Sequence, residues 1–391
     1  MSEAVIVDVV RTPNGRGKPI VGDLSGINSV ALLAETYKAL VERNGLSYGD
    51  IEQAYAGCVT QAGEQSNNLA KNAWLHLGTE YTAGCSTVDT QCGSAQVCNH
   101  IMAALIEAGQ VNIGIAAGAE VMSRVGLGAS AMHGPGYFIT ENWPWDQAMS
   151  QFEAADRIAK KRGITKEDCD QLAVMSHSRA IDAWDKGLFP QVLDIEAPIL
   201  GEDGQPTGAT KTVSRDQGMR ETTMESLSGL RILAEDGVHT AGTSSQVSDG
   251  AAAILWMSAE EAKARGLKPR ARIIQGVVAG TDPYYLLDGP VDATELLFKK
   301  TGMSMSDIDL VEINEAFASV VLAWQKDTGW DMSKVNVNGG AIALGHPIGA
   351  TGTRLMTTLL NELERTGGRY GLQTMCEGGG QANVTILERL S

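Results

Sequence analysis

No stretch of this sequence approaches the ~20 consecutive apolar residues of a transmembrane helix. Its first residues, MSEAVIVDVVRT, carry no basic segment ahead of their short apolar run, so they read as a first β-strand and not as a signal peptide. The other end, ILERLS, has no address motif, and the expected location is the cytoplasm. Positive charge is also short. A formal net charge of −16 excludes nucleic acid or an anionic membrane as the main partner, so an anionic ligand needs a local basic patch. No CxxC pair occurs among the six cysteines, and a cytoplasmic protein of this size needs no disulfide framework. The cluster Cys85, Cys92, Cys98 and His100 lacks zinc-knuckle spacing. Cys98 and His100, two apart on a helix, point about 200° from each other, so no metal is expected. No GxGxxG follows the first strand, where RTPNGRGKP stands instead, which counts against a dinucleotide-dependent dehydrogenase. Aromatics are scarce at 5%, whereas the 45 glycines suit close packing of helices on sheets.

What is present is concentrated in two distant segments, STVDTQCGSAQVCNHIMAAL (86–105) and VNVNGGAIALGHPIGATGTRLMTTLL (335–360), the latter followed by TMCEGGGQAN (374–383). Each long segment reads as a short β run, a turn of glycines and small residues, and an apolar helix. Cys92 falls at the first strand-to-helix junction and His346 at the second, while Cys376 ends a strand and opens onto three glycines. A cysteine at a helix N-terminus faces unpaired N–H groups and the positive end of the dipole, so Cys92 is expected to favour the thiolate. One nucleophilic cysteine, one histidine and one further cysteine make a kit for acyl transfer. The competing reading for either segment alone is that small residues simply let a helix pack on a sheet.

The chain looks like a repeat of about 120 residues with an insertion between the copies. Strands are predicted at 4–10, 53–59, 86–89, 112–118 and 251–257, and again at 271–280, 308–314, 335–338, 370–375 and 382–388. These apolar, β-branched runs suit strands buried on both faces. Helical patterns at 29–45 and 292–302 each end at glycine. The insertion carries HGPGYF (133–138), NWPW (142–145) and helices at 151–163 and 166–187, the second capped by Thr165. An excursion near the active-site end of a sheet suits substrate selection; a dimer-forming or decorative role is the competing reading. Trp143, Trp145 and Tyr137 either line an acyl channel or, the favoured use, pack.

The CGS around Cys92, NEAFA at 314–318, NGGAIALGHPIGATGTR at 338–354 and CEGGG at 376–380 resemble the thiolase family, and the likeness runs along essentially the whole chain. The resemblance implies an α/β fold of two duplicated αβα core domains stacked as five layers, αβαβα, with an inserted loop domain. The expected division is residues 1–118 with 250–268, then 119–249, then 269–391. It also implies a homodimer or homotetramer, coenzyme A and acyl-CoA as substrates, and no permanently bound cofactor. GCVTQAGEQSNN (57–68), AGTSSQVSDGAAAILWM (241–257) and VEINEAFASVVLAW (311–324) look most like actinobacterial degradative thiolases that shorten a steroid side chain. Two departures stand out. Ser150, Gln151 and Phe152 replace the His-Met-Gly element usual in short-chain biosynthetic thiolases, and Glu377 stands where the family often has an apolar residue.

Under that resemblance Cys92 is the nucleophile, His346 takes its proton, and Cys376 is the acid and base toward the leaving carbanion and incoming CoA. Asn314 positions a water paired with His346 in one oxyanion site, and the N–H groups of Cys92 and Gly378 form the other. Arg220, Glu221, Thr222 and Ser245 are expected to hold CoA, with Gln151 at the acyl pocket. Arg220 as a plain solvated charge remains the alternative. His239 is as readily structural as a ligand, and His76, His100, His133 and His177 are taken as non-catalytic. The competing functions are a biosynthetic acetoacetyl-CoA thiolase, a two-histidine condensing enzyme, and a non-catalytic lipid carrier with this fold.

Overall fold

The computed structural model describes residues 2–132 and 139–391. Tyr137 and His133 lie outside the described residues. Among the described residues, twelve strands form one large sheet and a hairpin. In chain order the strands are β1 (Ala4–Arg11), β2 (Gly15–Arg16), β3 (Gln53–Gly57), β4 (Gly84–Val88), β5 (Ile113–Val121), β6 (Ile195–Leu200), β7 (Pro206–Val213), β8 (Ser248–Ser258), β9 (Ala271–Gly280), β10 (Leu310–Ile313), β11 (Tyr370–Glu377) and β12 (Gln381–Arg389). The helices are α1 (Ser29–Arg43), α2 (Leu69–His76), α3 (Ser94–Glu107), α4 (Gln151–Arg162), α5 (Lys166–Asp185), α6 (Met224–Ser228), α7 (Ala259–Ala264), α8 (Gly289–Thr301), α9 (Ala318–Thr328), α10 (Ala341–Leu344) and α11 (Thr351–Thr366). None is long and apolar enough to cross a membrane.

The sheet runs β4-β3-β5-β8-β1-β9-β12-β11-β10, with β2 beside β8. The order is palindromic in pattern. In the first half β3 is parallel to β4 and β5, and β8 is antiparallel to β5 and β1. In the second, β10 is parallel to β11, and β12 is antiparallel to β11 and β9. β1 and β9 join the halves through one residue pair, Ile6 opposite Ala271. The duplication expected from the order of motifs is thus visible as β1/β9, β8/β12, β5/β11 and β3/β10. One predicted strand is absent. Residues 335–338 contribute a single bridge, Val335 to Val311, because Asn336 takes a left-handed φ of 45°. Its side-chain amide then pairs with both the N–H and the carbonyl of Ile313 at 2.9 Å, doing for β10 what a neighbouring backbone would have done.

Five layers follow from which faces are apolar. Helices α1 and α2 cover the outer face of the first half through Leu32, Leu33, Tyr37, Leu40 and Trp74. Helices α8 and α9 cover the second through Leu297, Val320, Val321 and Trp324. Between the halves lie α3 and α11, whose Met102, Ile106, Met356, Leu359 and Leu363 share a core with Ile6 and Trp256 on one side and Ala271 and Leu387 on the other. Strands β5 and β8 are buried throughout, as strands covered on both faces must be.

β5 runs on to Val121 and β8 starts at Ser248, so the strands extend slightly past the expected boundaries at 118 and 250. The excursion between them packs α4 and α5 onto the second half. Ala154, Ala155, Ile158, Leu172 and Ala173 enter the core of α9. Thr165 caps α5 as its sequence predicted, in a reciprocal capping box with Asp168. Trp145 is 59% exposed, so little of it is available for the packing role favoured from sequence, while Trp143 is 38% exposed.

Candidate active site

Two central helices bring the site together. A tight turn of Thr90 and Gln91 ends the run after β4, Gln91 adopting a left-handed φ of 56°. Cys92 then sits just ahead of Gly93, the residue that caps α3. His346 lies in the loop joining α10 to α11 rather than on a helix start, with Pro347 to Ala350 between it and Thr351. Backbone meets backbone where α3 and α11 cross: a Cβ on Gly352 would strike the Gln96 N–H group, and Asn99 Nδ2 donates to Thr353 Oγ1 at 2.9 Å. Cys92 consequently shares a small buried cluster with Met122, Ile348 and Met375.

Cys92 is 4% exposed, and its own N–H and that of Gly378 are near enough to favour charge on its sulfur. These are the two donors named from sequence. The expectation of a resting thiolate is overturned. Burial, then the carboxyl of Glu377, push the Cys92 thiol up to about 12, outweighing the backbone donors that act in the expected direction. Cys376, second from the end of β11, is buried, and its thiol is raised well above the ordinary value by burial and then by Cys92. The two sulfurs are therefore close enough to feel each other's charge. Both are thiols at rest.

His346 is held by its surroundings in one protonation state. Its Nδ1 lies 2.6 Å from Thr351 Oγ1, whose single proton goes to the Pro347 carbonyl at 2.8 Å. Thr351 must therefore accept, which puts the imidazole proton on Nδ1 and makes Nε2 the acceptor nitrogen. Burial, and secondarily Arg354, lower the imidazole to about 3, so it is neutral and available as a base. Asn314 follows β10, its N–H donating to the Thr374 carbonyl at 3.0 Å. Its Nδ2 lies 3.4 Å from His346 Nε2, and its Oδ1 is buried without a partner.

The histidine loop is fastened by residues that sequence reasoning missed. Glu120, wholly buried at the end of β5, accepts from Gly349 N at 3.1 Å, Val59 N at 2.9 Å and Gln65 Nε2 at 2.8 Å. Ser248 Oγ accepts from His346 N at 3.1 Å. An acid ending the otherwise apolar run NIGIAAGAE was the one available signal for Glu120. Ser248 carried none.

Gly378 lies in the turn between β11 and β12, where a Cβ would come within 2.6 Å of Gln151 Nε2 and 3.4 Å of Gln91 Oε1. Two amides thus flank Gly378, one of them from Gln151, the first residue of α4. Phe152 beside it stacks edge-on against Phe317, 5.0 Å between ring centres. His239 is structural in its contacts. It is buried, 2.7 Å from Asp156 Oδ1, and edge-on to the other side of Phe317. His100 is likewise engaged, with Thr385 Oγ1 at 2.7 Å.

Arg220, Glu221 and Thr222 line a cleft of about 340 Å³, walled on its apolar side by Leu227, Leu230 and Gly242. Burial and the nearby Arg16 lower the Arg220 guanidinium, so two like charges sit together here in a chain of net charge −16. Glu221 on the same cleft offsets part of that charge. Ser245 is not on the cleft wall; its N–H donates to the Ala316 carbonyl at 2.9 Å, beside the loop that carries Asn314.

Residues 4–260 match the thiolase N-terminal domain and residues 267–389 the thiolase C-terminal domain. The steroid 3-ketoacyl-CoA thiolase FadA6 of Mycobacterium tuberculosis is 42% identical over 400 residues, covering 100% of this chain and 95% of that one. The 3-ketoacyl-CoA thiolase of Klebsiella pneumoniae is 40% identical over 397 residues, covering 100% of both. The crystal structure of the Bacillus anthracis acetyl-CoA acetyltransferase superposes with a TM-score of 0.89 at 32% identity, over 100% of this chain and 99% of that one. Matched in both halves and along its whole length, the chain belongs to the thiolase family and is an acyltransferase.

Proposed function

We propose that the protein cleaves a 3-ketoacyl-CoA with CoA, giving acetyl-CoA and a shortened acyl-CoA through an acyl-Cys92 intermediate. The observation that carries this reading is the convergence of the Cys92 and Gly378 N–H groups on a buried thiol in the same site as a neutral imidazole. In the first half-reaction the Cys92 proton passes to His346 Nε2, and the sulfur attacks C3 of the substrate. The C2–C3 bond breaks and its electron pair moves to C2 as the acetyl-CoA enolate, which takes the Cys376 proton. In the second half, the Cys376 thiolate removes the proton of incoming CoA, whose sulfur attacks the acyl-Cys92 thioester. Cys92 leaves and recovers its proton from His346.

Charge development decides where donors matter. The C3 oxygen becomes an oxyanion within reach of the Cys92 and Gly378 N–H groups, each such donor being worth ~3 kcal/mol when aimed at it. The thioester oxygen faces protonated His346 and a water positioned by Asn314. Coenzyme A lies with its nucleotide end near Arg220 and Thr222 and its pantetheine passing Ser245, the excursion at 119–249 serving as the loop domain. The protein works as a homodimer or homotetramer; strand β4, next to the nucleophile turn, pairs among the described residues with β3 alone and has a partly exposed edge. The preferred substrate carries a steroid side chain.

Rapid acid quench after mixing with a 3-ketoacyl-CoA tests the assignment. An acyl mass adduct is expected on the peptide containing Cys92. An adduct found only on the Cys376 peptide would reverse the two roles.

A further inference from the structure

Glu377 follows Cys376 in β11, and side chains alternate across a strand. It therefore points the opposite way from its neighbour, toward the central layer where α3 begins. It is 0% exposed, and neither carboxyl oxygen completes a hydrogen bond among the described residues. Its carboxyl presses on the nucleophile turn: a Cβ on Gly93 would strike Oε1 and come within 2.6 Å of the carboxyl carbon. No cation neutralises it; among the described residues it takes part in no ion pair.

The groups facing it from each packed element explain why. From the turn ahead of α3 come Cys92 and Asp89, both of which become negative on ionising. Cys376, on the opposite face of its own strand, is near enough for the two charges to be felt through the backbone. From β12 come Gln381, directly opposite, whose amide gives a weak contact short of a full hydrogen bond, and Asn383, whose Nδ2 is committed to the Gly93 carbonyl at 2.9 Å. A carboxylate here is buried, unpartnered and surrounded by groups of its own sign, whereas a neutral acid costs far less.

We propose that Glu377 is a positioning residue for the nucleophile: as a neutral carboxylic acid it lets Cys92 carry negative charge, and as a carboxylate it denies it. Burial raises the Glu377 carboxyl to about 8, with Asp89 acting the same way. The switch therefore lies just above neutrality. The sign is fixed by like charge. Below that pH the site holds one prospective anion, the Cys92 thiolate; above it, forming the thiolate would place two buried negative charges side by side. This rests on Cys92 being the nucleophile, but it predicts a property of the thiol itself, readable without turnover.

The experiment is the rate of Cys92 alkylation by iodoacetamide between pH 6 and 10, followed on its peptide, in the wild type and in Glu377→Gln. An isolated thiol far below its pKa gains tenfold in thiolate per pH unit. The wild type is expected to fall short of that slope across about pH 7.5–9, and Glu377→Gln to keep it. At pH 6 the two rates should agree within about twofold, and at pH 9 the variant should be ~5-fold faster or more. The kcat/KM profile for thiolysis should lose its alkaline fall in the variant, a change that a merely structural role would not produce. Glu377→Leu, which cannot ionise and suits a buried site, should behave like Glu377→Gln. A wild-type rate that climbs tenfold per unit straight through pH 7–10 overturns the proposal without any variant, as does a variant-to-wild-type ratio that is the same at pH 6 and pH 9. An alkylation difference of the expected form in a protein without thiolysis would leave this inference standing and remove the proposed reaction.

Discussion

Cys92 and Cys376 are the same residue in nearly the same place, and their burial separates what each can do. Both are thiols at rest, because removing a thiolate from water costs more than the local donors return. Cys92 has the two backbone N–H groups and a neutral histidine in its site, so it can form a thiolate as substrate charge develops. Cys376 is favoured as a thiolate by its own N–H, and under the proposed function what it offers is a proton. Replacing it by serine should leave the first attack possible and cripple the proton transfers. Cys376→Ser is expected to acquire an acyl adduct on Cys92 yet lose turnover by ~10²-fold or more, measured by quench mass spectrometry beside steady-state thiolysis. Normal turnover in that variant would end the acid–base role. These residues were legible in the sequence because each sits in a short motif with its own glycines. The protonation of Cys92 was not. A helix N-terminus can be read locally, but the desolvation that overrides it and the carboxyl of Glu377 come from the far end of the chain. Thr351, which sets the tautomer of His346, was hidden for another reason, since its role depends on the path of the loop and not on spacing.

At the level of elements, the site depends on how closely α3 and α11 approach the strands beneath them. Gly118 in β5 shows the tolerance. A Cβ there would strike the Gly349 carbonyl and lie 2.8 Å from Ala95 Cβ and 2.9 Å from Ala350 Cα, so it would press on both helices at once. Neither can retreat: α3 is tied through Gln96 Nε2 to Thr385 Oγ1 at 2.7 Å, and Gly349 is held by Glu120. Overpacking of this kind costs ~1–3 kcal/mol, so Gly118→Ala should lower Tm by a few degrees. Since Gly349 belongs to the loop that carries His346, kcat should fall more than stability alone would dictate. Gly126→Ala is the control, because nothing lies within 4 Å of its added Cβ and its φ is not left-handed. Equal melting curves for the two variants would mean that this crossing is more yielding than the geometry indicates. The elements themselves were largely legible: alternating apolar runs and glycine stops placed nine of the ten predicted strands. The exception, 335–338, failed because periodicity cannot reveal that the Asn336 side chain substitutes for the strand.

For the whole molecule the open variable is the size of the acyl group, and under the proposed function it is decided where the excursion meets the second half of the sheet. Gln151 abuts Gly378, and Phe152 and Phe317 stack behind it. Before α4 in the chain, Trp145 is exposed at 59%, Met149 at 66% and Met132 at 74%. Scattered exposed apolar residues are ordinary; several of them in the excursion that delivers Gln151 to the site suit a bulky apolar ligand. If such a ligand buries ~150 Å² more than acetoacetyl does, the gain at ~25 cal/mol per Å² is ~4 kcal/mol before ordering costs. Only ~1.4 kcal/mol of that need survive in the transition state to raise kcat/KM tenfold. A 3-ketoacyl-CoA bearing a steroid side chain is therefore expected to be thiolysed at least ~10-fold more efficiently than acetoacetyl-CoA. Trp145→Ala and Phe152→Ala should each narrow that ratio by acting on the larger substrate, while the acetoacetyl rate changes little. The measurement is kcat/KM across a series from acetoacetyl-CoA upward in both backgrounds. Equal or better efficiency with acetoacetyl-CoA would remove the steroid reading and leave a general thiolase, and a preference for the large substrate that survives both substitutions would move the acyl pocket away from this aromatic wall.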